Sequence, residues 1–435
     1  MSEEQTMDID ELILVSVDDH IIEPPTMWDG RLSAKYQDKA PRMVTRPDGA
    51  MVWVYEGTEI PNIALNAVAG RPKEELGFEP TSLDELRPGC FDANLRVKDM
   101  DANGVLGSMG FPSFVRFAGQ LFMHHTDREQ SAAMVRAYND WHIDEWCGSA
   151  PERFIPLAIP MLWDPEASAA EVRRNAARGC HALTFSSNPA ALGLPSFYTD
   201  HWDPLWQACV ETQTVVCMHL GSSSQTPTTG PDAPIEVIYT LSPINLFECA
   251  ADLLWSPMFR RFPELRVALS EGGIGWVPYF LERVDYIYNH TRPWTHTDLG
   301  GKLPSEIFSE HVMLCFIDDA VGIETRGHLN LDHIMWECDF PHSDSTWPLS
   351  PEVAMKYLGD LPDDEVNRIT HLNAMRAFSY DPFSRLPKAE ASVGALRRRA
   401  EGWDVSPKPA AVQRASRTVS LASINLAGAP ADDKS

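Results

Sequence analysis

Eight short apolar runs recur along the chain, most ending at a polar or turn residue: Leu12–Val17, Val105–Met109, Ile155–Pro160, Ala182–Phe185, Thr214–His219, Arg266–Ser270, Val312–Phe316 and His333–Glu337. Their apolar positions are nearly continuous rather than alternating, which predicts parallel strands covered on both faces. Between them lie stretches with helical spacing, clearest at Arg128–Cys147, Pro165–Ala177, Asp203–Thr212, Ile244–Phe262 and Trp276–Asn289, with shorter pieces from Pro351 to Phe378. Alternating strand and helix signals predict an α/β protein with a parallel sheet. Eight such units point to a closed (β/α)8 TIM barrel rather than an open doubly wound sheet. No G-x-G-x-x-G follows the first run, which weakens a dinucleotide-binding alternative. A chain of 435 residues suits one barrel with insertions, here assigned to residues 1–385.

Two segments fall outside this rhythm. Residues 25–91 are rich in Pro, Gly and charge and follow the first strand, so they form a long insertion at the barrel's catalytic end. It is read as a lid, a partner contact or a surface elaboration, with Met51–Tyr55 as a small hairpin strand; a homodimer is expected on its account. Beyond residue 385 the chain carries Arg397–Arg399 and then Ser, Ala, Pro and Lys, which predicts a short helix followed by disorder over much of 386–435.

Composition narrows the function classes. The net charge of −26 argues against nucleic acid and anionic membranes as partners, because both require clustered Lys and Arg. No run approaches the roughly 18 consecutive apolar residues of a membrane span. The eight cysteines form no C-x-x-C pair, and the first residues, MSEEQTMDIDE, lack an apolar stretch. A reduced, cytoplasmic protein whose cysteines are small buried hydrophobes is the expectation.

Residues at the carboxyl ends of barrel strands face the active site. The first strand ends in Asp18-Asp19-His20, and the two-residue spacing of Asp18 and His20 points both side chains to one face. The fifth ends at His219, the sixth at Ser270-Glu271, and the eighth at Glu337-Cys338-Asp339, followed by Phe340-Pro341-His342-Ser343-Asp344. This mixture of oxygen and nitrogen ligands suits one divalent ion, zinc ahead of manganese or iron. Cys217 and Cys338 alternate with the ligands and are expected to point away. Glu23 is a candidate for metal, substrate or a hydrogen bond; His342 and Asp344 for substrate contact or loop hydrogen bonding. Arg116 is a candidate clamp for a carboxylate, or an ordinary surface arginine. Of the adjacent pair His124-His125, one is a candidate pocket residue, since neighbours do not share a face.

The ordered motifs SVDDHIIEPP, AYNDWHIDEW, VVCMHLGSSS, LSEGGIGW, DFPHSDSTWP and HLNAMRAF resemble the amidohydrolase-related family. Within it they resemble the branch of aminocarboxymuconate-semialdehyde and γ-resorcylate decarboxylases. The resemblance covers roughly residues 12 to 380 and implies a distorted barrel with one divalent metal, performing hydrolysis or non-oxidative decarboxylation. It assigns Asp18 and His20 to the first-strand metal motif, His219 to the fifth-strand ligand, and Asp339 to the carboxylate that binds metal or handles a proton. The sequence departs from the family twice: Asp18 stands where His is commonest, and Glu271 stands where His is usual, as a ligand or a replacement acid–base group. The leading expectation is loss of CO2 from an aromatic or conjugated carboxylate. A hydrolase of an ester, lactone or amide is the alternative, and a catalytically silent ligand-binding barrel the third.

Overall fold

The structure is a computed structural model and describes residues 7–77 and 79–410. Among the described residues eleven strands follow in chain order: β1 (Leu14–Ile21), β2 (Arg42–Thr45), β3 (Met51–Tyr55), β4 (Thr58–Ile60), β5 (Val105–Pro112), β6 (Phe154–Ile155), β7 (Ala182–Phe185), β8 (Val215–His219), β9 (Val267–Ser270), β10 (Val312–Phe316) and β11 (Ile334–Trp336). All but β2–β4 pair in parallel, as the arcs β1-β5-β6 and β7-β8-β9-β10-β11.

Two seams join the arcs into a barrel. One is a parallel bridge between Ala158 and Leu183. At the other the Asp339 N–H donates to Asp18 O at 2.8 Å, and the His20 N–H to Phe340 O at 2.7 Å. The second seam therefore lies between the end of β1 and the loop after β11, both of which carry candidate ligands.

The eight runs read from the sequence correspond to the eight barrel strands, with two differences. The third shrinks to Phe154–Ile155, because Pro156 and Pro160 have no N–H to give to a ladder. The first runs on through Asp18, Asp19 and His20 to Ile21. Asp19 supports this stretch from below: its carboxylate accepts from Ser16 Oγ at 3.1 Å, from Ser108 Oγ, and from the Phe340 N–H at 2.9 Å.

Apolar side chains such as Val15, Val17, Cys217, Ala268, Cys315 and Met335 fill the barrel interior. A larger cluster fills the layer between the strands and the helices. All eight cysteines are free and buried. Cys217 departs from the expectation that it points away from the ligands. It lies two residues before His219, so it shares that side chain's inward face and packs one layer beneath it. Cys338 does point outward, its Sγ 3.3 Å from Ser350 Oγ.

One stretch of the described residues, Ile235–Trp255, is long and apolar enough to cross a membrane by length and composition, which the sequence reading did not anticipate. It is divided into helices Ile235–Leu241 and Ile244–Trp255, and the second buries Leu246, Cys249 and Leu253 against the barrel.

In the insertion, β3 is the central strand of an antiparallel sheet, β2-β3-β4. Trp53 from β3 stacks on Phe114 in the loop after β5, with ring centroids 4.1 Å apart. Ion pairs Arg31–Glu145 (2.7 Å), Lys35–Glu129 (2.9 Å) and His125–Glu56 (3.0 Å) tie the insertion to the segment 125–145. His125 thus serves this interface, and His124 is exposed.

The expected terminal helix spans Val393–Arg399, buries Val393 and Leu396, and is followed by chain hydrogen-bonded to Asp99 and to the insertion as far as Ala410. Disorder expected further on concerns residues 411–435, which lie outside the described residues.

Candidate metal centre

Four strand ends bring their donors to one point. His20 Nε2 lies 3.3 Å from His219 Nε2, 3.6 Å from Asp18 Oδ1 and 3.2 Å from Asp339 Oδ1. His219 Nε2 is 3.2 Å from Asp18 Oδ2 and 3.3 Å from Glu271 Oε2. Donors bound tetrahedrally at about 2.1 Å from one ion are separated by about 3.4 Å, the edge of that tetrahedron. Asp18, His20 and His219 form one such cluster, and His20, Asp339 and His342 another.

None of the four carboxylate oxygens of Asp18 and Asp339 accepts a hydrogen bond, although all are buried. Buried acceptors left this way are costly unless a cation or donor meets them. His219 Nδ1 faces Leu220 O at 2.5 Å. With Nδ1 carrying the proton, Nε2 presents a bare lone pair to the cluster, the orientation an imidazole ligand needs. The donor set therefore fits a divalent ion.

The electrostatics agree. Burial, followed by the charges of Asp339 and Asp19, pushes the Asp18 carboxyl well above its ordinary range. Burial and the charges of Asp339 and Asp18 do the same to Glu271. Burial pushes His20 downward, and the neighbouring His342 adds to the effect, so its imidazole is neutral. Burial also opposes ionisation of Asp339, but the His342 and His20 imidazoles beside it outweigh that and hold the carboxyl low.

The remaining candidates divide into two groups. Glu271 belongs to the cluster, and its backbone sits at φ 62°, left-handed like that of Asp339 at φ 57°. Such conformations in non-glycine residues concentrate at functional sites. His342 places Nδ1 3.1 Å from Asp339 Oδ1 and stacks on the His20 ring at 3.7 Å, which brings it among the donors. Asp344 sits at the rim, where burial and the nearby Asp339 charge raise its carboxyl.

Glu23 is not at the cluster. Its two oxygens accept the N–H groups of Ser113 (3.0 Å) and Phe114 (2.8 Å), so it braces the loop after β5 and has no free oxygen for metal or substrate. Arg116 follows in that loop at φ 68°, half-buried, its guanidinium with no hydrogen-bond or ion-pair partner among the described residues.

Two contributors escaped the sequence reading. Glu337 was noted only as part of a strand end, yet it is fully buried beneath the cluster, its Oε2 3.3 Å from the Glu271 N–H and its Oε1 unpartnered. Its spacing of two from Asp339 was the available signal. Phe117 stacks on His219 at 4.3 Å and tilts over His20 at 5.4 Å, forming the apolar wall. It comes from an irregular loop, and no periodicity marked it.

Comparison with known proteins places the chain in a family. A γ-resorcylate decarboxylase from Rhizobium sp. (strain MTP-10005) is 24% identical over 343 residues, covering 71% of this chain and 94% of that protein. Among solved structures, an amidohydrolase from Mycobacterium avium subsp. paratuberculosis K-10 superposes with a TM-score of 0.65 at 20% identity, covering 84% of this chain and 99% of the other. A 5-carboxyvanillate decarboxylase from Novosphingobium aromaticivorans DSM 12444, complexed with manganese and 4-hydroxy-3-methoxy-5-nitrobenzoic acid, gives 0.56 at 17% identity over 87% of this chain and 99% of that one. Residues 44–379 match the amidohydrolase family, and the chain belongs to it.

Proposed function

We propose that this protein is a metal-dependent carboxy-lyase that removes CO2, without oxidation, from an aromatic carboxylate bearing an oxygen substituent beside the carboxyl group. The buried quartet Asp18, His20, His219 and Asp339, with its orphaned carboxylate oxygens, carries the proposal, and the decarboxylases among its relatives point to the reaction. Manganese is the first metal to test, since the 5-carboxyvanillate decarboxylase holds it; zinc suits the same donors. When bound, a divalent ion supplies an electrophile for the substrate's oxygens and a positive charge that offsets charge developing in the ring.

The side chains divide the remaining work. Glu271, its carboxyl pushed upward by burial and set beside His219 Nε2, is the proposed donor of the proton. That proton goes to the ring carbon as its bond to the carboxyl carbon breaks and CO2 leaves; solvent restores it. Asp339, ionised at rest between His20 and His342, accepts the replacement proton from His342 Nδ1 and releases it inward toward Glu271. Two acids whose surroundings drive their pKa values apart are suited to such a division. The Phe117 ring excludes water from the imidazoles, and Arg116 receives the anionic end of the substrate.

The test is turnover of hydroxylated benzoates by the manganese-loaded protein in heavy-oxygen water. Release of CO2 with no solvent oxygen in the product is the expected result. A product that has gained solvent oxygen would overturn it in favour of ester, lactone or amide hydrolysis.

A further inference from the structure

The loop that carries Asp339 and His342 is held from outside by two segments distant in sequence. Within the insertion, the Ala69 N–H donates to Pro341 O at 2.8 Å, and Asn66 Nδ2 donates to Ser343 Oγ at 2.6 Å. The adjoining Gly70 lies at φ 83°, where an added Cβ would stand 3.0 Å from Arg87 Cδ and 3.1 Å from the Trp347 ring. Only glycine is comfortable there, both in backbone conformation and in space. The insertion thus turns tightly against both ends of the loop 339–348.

The chain after Val393–Arg399 lies over this turn. The Lys408 N–H donates to Gly70 O at 2.8 Å, and the Ala410 N–H to Glu75 Oε2 at 2.6 Å. Trp403 Nε1 donates to Asp99 Oδ1 at 2.9 Å. The same Oδ1 accepts from Arg87 Nε and Nη2 at 3.1 and 2.6 Å, and Arg87 Nη2 also donates to Asp404 O at 3.0 Å. The Arg87 guanidinium lies 4.3 Å over the Trp347 ring, whose Nε1 donates to Asp99 O at 3.1 Å. Pro407 and Pro409 flank Lys408, which stiffens the strand of chain that makes the Gly70 contact.

We propose that residues 403–410 form a strap that fixes the insertion turn against the loop 339–348 and thereby positions His342 over the metal cluster. The strap lies beyond residue 379, where the family match ends, so it belongs to this chain's extension rather than to the shared barrel. Trp403 and Lys408 are positioning residues: they touch neither the donors nor the space above them. The proposal holds whichever reaction the site performs, and its principal readout needs no substrate.

Three proteins make the test: the full chain, one ending at Ala410, and one ending at Gly402, with Trp403→Ala in the full chain as a fourth. Amide hydrogen exchange is followed in peptides spanning 64–75 and 340–348, with β8 and β9 as internal controls. The chain ending at Ala410 should match the full chain. Ending at Gly402, or carrying Trp403→Ala, should speed exchange at least tenfold in both peptides while β8 and β9 keep their protection. Affinity for Mn2+ should fall less than in Asp339→Asn, because Asp18, His20 and His219 stand on strands and only Asp339 rides on the loop. With a turned-over benzoate, KM should rise more than kcat falls. Unchanged exchange at 340–348 in both altered proteins would overturn the proposal. If the chain ending at Gly402 does not fold, Trp403→Ala decides by the same criterion.

Discussion

His20 and His219 aim their Nε2 atoms at each other across 3.3 Å in the barrel mouth. His219 Nδ1 is committed to the Leu220 carbonyl, so its Nε2 is a lone pair, and burial keeps His20 neutral. Two carboxylates with four unmet oxygens complete the ring. A divalent cation satisfies all of these groups at once. Adding Mn2+ or Zn2+ to metal-stripped protein should therefore raise the unfolding midpoint, with about 2.7 kcal/mol of stabilisation at a hundredfold excess over Kd. His219→Ala should abolish the shift. An equal shift in that variant would show that the ion binds elsewhere.

Glu271 and Asp339 should separate in mutant kinetics. Glu271→Gln replaces the proposed proton donor with a side chain of the same shape, so kcat should fall by about a hundredfold or more. Metal content and KM should hold within a few fold. Asp339→Asn removes a ligand charge as well, so kcat should fall and the metal should be bound more weakly. Metal analysis beside steady-state kinetics distinguishes the two patterns. Full activity in Asp339→Asn would end both of its assigned roles.

The strand rhythm was legible because buried parallel strands write themselves as apolar runs, and the barrel rule then turned each run's last polar residue into a candidate. Asp18, His20, His219, Glu271 and Asp339 were all accessible by that route. What failed was side-chain direction wherever the parity of a strand was not followed through. Cys217 shares the face of His219, and Glu337 that of Asp339, yet neither was placed there. Loop residues were harder still. Glu23 braces Ser113 and Phe114 through contacts 90 and 91 residues away in sequence, which no local pattern encodes. His342 joined the donors because the turn after Asp339 folds back on it. The tail's packing depends on Asp99, Gly70 and Trp403 meeting in space, and a composition poor in aromatics suggested disorder instead.

Glu23 also sets a pH dependence of stability. Burial raises its carboxyl from 4.5 to about 7, against the two N–H groups that favour the charged form. The native chain keeps this proton over a range where the unfolded chain has lost it. Its contribution to stability therefore falls as pH rises from about 4.5 to about 7 and is level above that. Glu23→Gln resembles the protonated side chain. It should match the parent near pH 5 and gain on it by pH 8, by on the order of 2 kcal/mol from the size of the shift. Denaturant titrations at both pH values provide the measurement. A variant that loses further ground at pH 8 would mean the hydrogen bonds to Ser113 and Phe114 outweigh burial.

Arg116 is the remaining cation to account for. It sits in the loop that carries Phe117, the ring stacked on His219, and burial alone pushes its pKa downward, with no carboxylate nearby to offset the cost. Under the proposed function, this guanidinium without a counter-charge is the group that would receive the substrate's carboxylate or a ring oxygen. A hydrogen bond to a charged group contributes about 1.5–3 kcal/mol, so Arg116→Met should raise KM by roughly ten- to a hundredfold. Removing an unpaired, half-buried charge should leave the unfolding midpoint unchanged or higher, and Met keeps the Cβ that the φ of 68° already accommodates. Arg116→Lys should recover only part of the loss, because an ammonium lacks the paired donors that match a carboxylate. If KM stays at the parent value in the Met variant while the fold is intact, the substrate's anionic end is held by other groups, and Arg116 plays no part in recognition.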